Sequence, residues 1–317
     1  MSRHFDVVTM GRVGVDLYPL QDNVGLEDVE TFSKSIGGSA TNVAIAAAKH
    51  GLRSAVITRT GPDAFGRFVH QELRRLGVDD SFITPVEDLL TPLAFCENYP
   101  PDHFPLQFYR LPTAPDLMIR AEELDLAAIA DAGVFWATVT GLSAEPSRAA
   151  HHAAWEARAR RPLTILDLDY RPVFWKAKQD ATEQVRAALP HVTVAIGNKE
   201  ECEVAVGETE PRAAAEALLA AGVEIAIVKQ GPKGVLGMTA DGVVEVPPTP
   251  VQVINGLGAG DGFGGAVCHG LLQGWDLETV LRFANAAGAI VATRRECSTA
   301  MPTTAEVQAL LQEVSNV

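Results

Sequence analysis

The run NGLGAGDGFGGA, from Asn255 to Ala266, sets six glycines around one aspartate. Glycine at this density is costly in conformational entropy and adds no packing. The stretch is therefore either a flexible loop or a backbone cradle for an anion. In the second case a helix opens after Gly258, and the N–H groups of Gly258, Ala259 and Gly260 gather at its positive end, where a phosphate is stabilised. Asp261 then stands at the mouth of the cradle. A carboxylate repels a resting phosphate there, but it can accept a proton from a hydroxyl that attacks a phosphoryl group. Other phosphate loops fit poorly. There is no G-x-x-x-x-G-K-[ST], and the spacing is G-x-G-x-G rather than G-x-G-x-x-G.

Two arginines offer a second chemistry. Arg110 in FYR and Arg171 in DYRP follow Tyr109 and Tyr170 near strand ends. A planar guanidinium matches a carboxylate through two parallel hydrogen bonds, whereas a solvated surface arginine contributes little. The remaining candidates have plain local readings. Asp16 closes GRVGVD as a turn or cap aspartate. Gly38 and Asn42 open an alanine-rich helix. Asn198 and Glu201 in NKEE, three apart, suit a helix cap and its first turn. Lys229, Gly231 and Gly234 lie in VKQGPKGV, a turn rich in Gly and Pro. Asn285 sits on a helix of small residues, RFANAAGAIVATR.

The elements that must position these groups alternate. FDVVTMG, SAVITRTG, GVFWATV, PLTILDLD, VTVAIGN and VEIAIVKQG read as buried strands. GGSATNVAIAAAKHG, FGRFVHQELRRLG, PSRAAHHAAWEARAR and PRAAAEALLAAG read as helices, several stopped by glycine. Alternating strands and helices imply a parallel sheet covered on both faces. Two segments break the rhythm, VDLYPLQDNVGLEDVETFSKSIGG and TPLAFCENYPPDHFPLQFYRLP. Both predict small antiparallel strands outside the main sheet, at about residues 14–36 and 92–113, which suit a lid over a binding face.

The 317 residues, 47% of them hydrophobic, can bury a large core. A net charge of −14 with no block of like charges argues against a nucleic acid or membrane surface as partner, since both need a basic patch. No apolar stretch is long enough to span a bilayer, and the N-terminus lacks a signal-peptide layout. Cys96, Cys202, Cys268 and Cys297 have no metal-ligand or redox spacing, and suit a reducing cytoplasm.

Three motifs in order resemble the ribokinase-like carbohydrate kinases of the PfkB family. Gly37, Gly38, Ala40, Asn42, Ala44, Gly51 and Gly61 fill the early one, Asn198 and Glu201 the N-x-x-E element, and NGLGAGD the late one. The resemblance covers essentially the whole chain. It implies a single kinase domain over residues 1–317, an α/β three-layer αβα sandwich with a small β-strand lid. It implies transfer of the γ-phosphoryl group of ATP, with Asp261 as base and Gly258, Ala259 and Gly260 around the moving phosphoryl group. Asp16, Gly38, Asn42, Arg110 and Arg171 would bind the sugar. Asn198, Lys229, Gly231, Gly234 and Asn285 would face the nucleotide, and Glu201 and Asn198 would organise Mg2+. Asn255 replaces the family's usual aspartate near a monovalent-cation site, so the dependence on such a cation stays open.

The strings GRVGVDLY, FPLQFYR, DLDYRPVFW and CSTAMPT are similar to one branch of the family, the 5-dehydro-2-deoxygluconokinases of inositol catabolism. The 2-keto-3-deoxygluconate kinases share some of them. Both imply a sugar-acid substrate, and a nucleoside kinase or a catalytically silent sensor are the alternatives. Partners are then ATP and a small sugar acid. A lid strand could pair between subunits to form a homo-oligomer, though nothing in the sequence requires it.

Overall fold

Valine-, isoleucine- and alanine-rich runs alternate with helices, and each run becomes a strand. The computed structural model describes residues 4–315. Its strands, in chain order, are β1 (Val7–Met10), β2 (Gly14–Pro19), β3 (Phe32–Gly37), β4 (Ser54–Thr60), β5 (Val78–Asp79), β6 (Ile83–Pro85) and β7 (Leu93–Cys96). They continue with β8 (Leu106–Tyr109), β9 (Val134–Thr138), β10 (Thr164–Asp167), β11 (Val194–Asn198), β12 (Ile225–Lys229), β13 (Val235–Thr239) and β14 (Gly242–Val246). Ten strands form the main sheet, in the order β14-β13-β12-β11-β10-β9-β1-β4-β5, with β6 also on β4. Pairing is parallel from β4 through β12, and β13 and β14 add an antiparallel edge.

Adjacent residues on each central strand enter different cores, as period-two side chains must. Val8, Phe135 and Leu166 pack with Trp155, Val185 and Leu218 from helices on one face. Val7, Trp136 and Ile165 pack with Val43, Phe263 and Leu281 on the other. The result is the three-layer αβα arrangement that the sequence predicts. The order of strands reverses at β1, whose neighbours are β4 and β9. Open α/β sheets bind ligands beyond the carboxyl ends of strands at such a switch point.

The two irregular segments form a separate four-stranded sheet, β3-β2-β7-β8. One detail differs from expectation: β2 and β7 run parallel, while β2–β3 and β7–β8 are antiparallel. These two hairpins are joined through a long excursion of the chain into the main domain, so their contact is not limited to the antiparallel geometry of a tight turn.

Several glycines of the Asn255–Ala266 run do pack, contrary to the expectation drawn from composition. They open the helix Ala259–Leu272, which lies on the helix Ser39–Lys49. A Cβ on Gly264 would stand 2.7 Å from the Trp136 ring, and one on Gly265 would stand 2.3 Å from the Ala46 Cβ. Only hydrogen fits there, so these glycines serve close helix packing rather than a loop.

Candidate functional site

Beyond the carboxyl ends of β1, β9, β10, β11 and β12 the chain turns sharply and presents polar side chains. Gly258 takes φ +80 as the cap of the helix Ala259–Leu272, a conformation that suits glycine. The Asp261 and Gly262 N–H groups close back on the Gly258 carbonyl at 3.0 and 2.9 Å, and Ala259 N–H makes only a 3.4 Å bond to Gly256. Gly258 and Gly260 N–H lie outside those bonds. The other helix start lies opposite. Gly38 caps the helix Ser39–Lys49 at φ +102, and a Cβ there would strike the Arg12 carbonyl at 2.4 Å.

The two helix starts meet through side chains. Asn42 Nδ2 donates to Asp261 Oδ2 at 2.8 Å. Burial pushes the Asp261 carboxyl up to about 6; the Asn42 bond opposes this, while Asp167 and Asp169 add to it. Asp16 behaves alike: burial raises it to about 6 against the nearby Arg12 charge. Its carboxylate rests on Gly37, where a Cβ would come within 2.0 Å. Tyr18 Oη contacts Asp16 Oδ2 at 3.1 Å and Cys297 Sγ at 2.7 Å. The Cys297 sulfur in turn supports the glycine turn, 2.7 Å from where a Gly258 Cβ would stand.

A charged array lines the other side. At the end of β10, Asp169 is held by Arg12 Nη2 at 3.0 Å on one oxygen and by Arg171 Nε at 2.9 Å on the other. Burial works to raise the Asp169 carboxyl, and the Arg171 and Arg12 guanidiniums outweigh it and hold the group low. Asp167 accepts a hydrogen bond from Ser39 Oγ at 2.9 Å. Burial raises Asp167 and Glu201, with Lys229 the main opposing charge for both. The Lys229 ammonium lies at the glycine turn, 3.4 Å from a Cβ built on Gly260. Burial disfavours its charge, but Glu201, Asp167, Asp261 and Asp169 together raise its pKa.

The structure thus brings together Asp16, Gly38, Asn42, Arg171, Lys229, Glu201 and the turn from Gly258 to Asp261. Asn198 and Glu201 form a capping box: Glu201 N–H donates to Asn198 Oδ1 at 2.9 Å and Asn198 N–H to Glu201 Oε2 at 2.6 Å. Gly234 and Asn285 meet elsewhere, at Pro247. Asn285 Nδ2 donates to the Pro247 carbonyl at 3.0 Å, and Gly234, at φ +91, packs on Val246 and Pro247. Gly231 opens the exposed turn between β12 and β13. Arg110 pairs with a different acid from Arg171. Its Nη2 donates to Asp116 at 2.9 Å, both side chains are buried, and its guanidinium lies 4.5 Å from the Phe174 ring centre.

Asn255 is buried and braces the turn. Its Nδ2 donates to the Arg295 carbonyl at 3.0 Å and its Oδ1 accepts from Leu257 N–H at 2.9 Å.

Sequence reasoning passed over Arg12, Asp167, Asp169, Ser39 and Cys297. A faint signal existed for two of them, since DLD is a pair of acids closing an apolar strand. For Arg12 the signal was its place directly after Gly11 at the end of β1.

The profile of the pfkB family carbohydrate kinases matches residues 4–304. A 5-dehydro-2-deoxygluconokinase of Photobacterium profundum is 35% identical over 310 residues, covering 95% of this chain and 93% of that protein. One of the same name from Shouchella clausii is 31% identical over 317 residues, covering 98% and 97%. A solved fructokinase with bound ATP from Xylella fastidiosa superposes with a TM-score of 0.86 at 26% identity, covering 98% of this chain and 99% of that one.

Proposed function

The chain belongs to the pfkB family of carbohydrate kinases, and from that premise we propose that it phosphorylates the terminal hydroxyl of 5-dehydro-2-deoxygluconate with ATP. The observation that carries the chemistry is Asp261 at the mouth of the glycine turn, fixed by Asn42. With its carboxyl near 6 it is deprotonated at neutral pH, yet basic enough to take a proton from an alcohol as that oxygen attacks the γ-phosphorus. The Gly258 and Gly260 N–H groups, the helix start and the Lys229 ammonium stabilise negative charge on the phosphoryl group in flight. Asp16 and Asn42 bind sugar hydroxyls, and Gly38 lets the sugar approach. The nucleotide runs along Gly231 and Gly234 toward Asn285.

Among the described residues no three acids or histidines converge as metal ligands. The buried carboxylates of Asp167 and Glu201, raised by burial, nevertheless fit a cation held mainly by phosphates and water, which is how Mg2+ is usually bound. Glu201, placed by Asn198, and Asp167 would hold it there. Bound Mg2+ neutralises phosphate charge. The small sheet acts as the lid on this single domain, excluding water as a competing acceptor. Among the described residues no helix is long and apolar enough to cross a membrane, and all four cysteines are unpaired, which suits a cytoplasmic setting.

Sugar-acid specificity rests on the guanidinium array and on the activity for which the relatives are named. ADP release measured over a panel decides it. Turnover should be greatest with 5-dehydro-2-deoxygluconate, lower with 2-keto-3-deoxygluconate, and far lower with fructose and ribose. A clear preference for 2-keto-3-deoxygluconate would reassign the substrate, and a preference for a neutral sugar would end the sugar-acid reading.

A further inference from the structure

Arg110 was the expected partner of Arg171 on a substrate carboxylate, yet it is committed to buried Asp116. Arg12 instead shares an acid with Arg171, the two meeting opposite oxygens of Asp169. Its backbone is fixed by the start of the helix Ser39–Lys49: Thr41 Oγ1 donates to its carbonyl at 3.1 Å, and the capping Gly38 packs against the same oxygen. Its guanidinium reaches Asp169 Oδ2 at 3.0 Å and lies 6.0 Å from the Phe108 ring centre on β8. Its Nε is buried and, among the described residues, has no hydrogen-bond partner. Such an N–H is stabilised when an acceptor arrives.

The charges explain why an acceptor should be an anion. Asp169 engages one arginine on each oxygen, so the three groups sum to one positive charge. That matches one carboxylate. The site otherwise gathers Asp16, Asp167, Glu201 and Asp261, with Lys229 as a countercharge, and that excess of acids would repel a substrate carboxylate that had no guanidinium beside it. We propose that Arg12 is a specificity-determining residue that, with Arg171, binds the acid end of the substrate, Asp169 holding both guanidiniums in place. This deepens the sugar-acid reading and rests on it. Arg110 then serves the shape of the small-sheet region through Asp116 and Phe174.

The test compares wild type, Arg12→Lys, Arg12→Gln and Arg110→Lys. Each is assayed for ADP release with 5-dehydro-2-deoxygluconate and with the neutral analogue in which the carboxylate is an alcohol, and each is checked for thermal unfolding. Lysine keeps the charge and loses the planar fork. Arg12→Lys and Arg12→Gln should each lower kcat/KM for the acid by roughly ten- to a hundredfold, mainly through KM. The neutral analogue should change by less than about threefold, so the acid-to-neutral ratio collapses. Arg110→Lys should leave that ratio within about threefold of wild type. Equal losses on acid and neutral analogue in both Arg12 variants would overturn the proposal, as would a ratio that collapses only in Arg110→Lys. Wild type is read first. If it ignores sugar acids, the functional reading fails and this inference with it; if it prefers them and the Arg12 variants keep the ratio, the inference alone fails.

Discussion

Replacing Asp261 with Asn should cost activity and raise stability, and both effects follow from one environment. Asparagine keeps the volume and can still accept the Asn42 Nδ2 hydrogen, but it cannot take a proton. Turnover should fall on the order of 10²–10⁴-fold at saturating substrates. The stability gain comes from the carboxyl itself. Burial lifts it from an ordinary 3.8 to about 6. Each unit corresponds to about 1.4 kcal/mol, so the charged group destabilises the fold by up to ~3 kcal/mol above pH 6. Asp261 is only partly buried in the folded surface, so ~2 kcal/mol is the nearer figure. The sign is that of a raised acid: the penalty is absent below the unfolded value, grows as pH rises from 4 to 6, and is complete above. With about 2.1 cal/mol/K of unfolding entropy per residue, 2–3 kcal/mol corresponds to about 3–5 °C in Tm. Thermal unfolding of both proteins at pH 8 and at pH 4.5, beside an ATP-turnover assay, measures each part. Retention of turnover within tenfold would refute the role of Asp261 as base. A Tm difference that is nil at pH 8, or identical at both pH values, would refute the account of its burial.

Four further outcomes are expected. The rate of the wild type should fall as pH drops through about 6, because Asp261 must be unprotonated to act; the limb will be shared with Asp16, raised to the same range, and a flat profile from pH 5 to 8 would contradict the mechanism. Glu201→Gln keeps an acceptor for Asn198 N–H, so Tm should hold while the Mg2+ concentration for half-maximal rate rises; an unchanged magnesium titration would remove Glu201 from the metal. Asn255→Asp should lower Tm by an amount equivalent to about 1–3 kcal/mol, since a carboxylate cannot donate to the Arg295 carbonyl. Partial recovery in KCl, absent in wild type, would show that a cation can replace the lost amide hydrogen. Gly265→Ala should destabilise by about 1–3 kcal/mol and reduce turnover together, because the added methyl meets Ala46 and the Ala47 backbone and pushes Asp261 away from Asn42; equal stability measured by chemical denaturation would count against that packing.

Local pattern carried much of the architecture. Strands that are apolar on both faces, helices ended by Gly51 at φ +82 and Gly77 at φ +83, and the glycine opening of the Ala259–Leu272 helix are all properties of a few neighbouring residues. Gly258 at φ +80 follows from the same logic: the turn into a helix needs a left-handed residue wherever the chain goes next. The two parts of the small sheet were legible as strands for that reason too, since alternation is local. Their parallel β2–β7 contact was not, because which edges meet depends on where the intervening chain carries them.

The partners of charged groups were decided only in three dimensions. Arg110 and Arg171 look equivalent in sequence, each after a tyrosine, but Asp116 neutralises one and leaves the other to share Asp169 with Arg12. Asn42 and Asp261 are 219 positions apart, and nothing near either specifies their 2.8 Å bond. It exists because glycines at 264 and 265 let two helices approach until their starts touch. A charge interacts with whatever the fold places within a few ångströms, at a strength set by the water the fold excludes, and neither distance nor burial is written in the residues beside it.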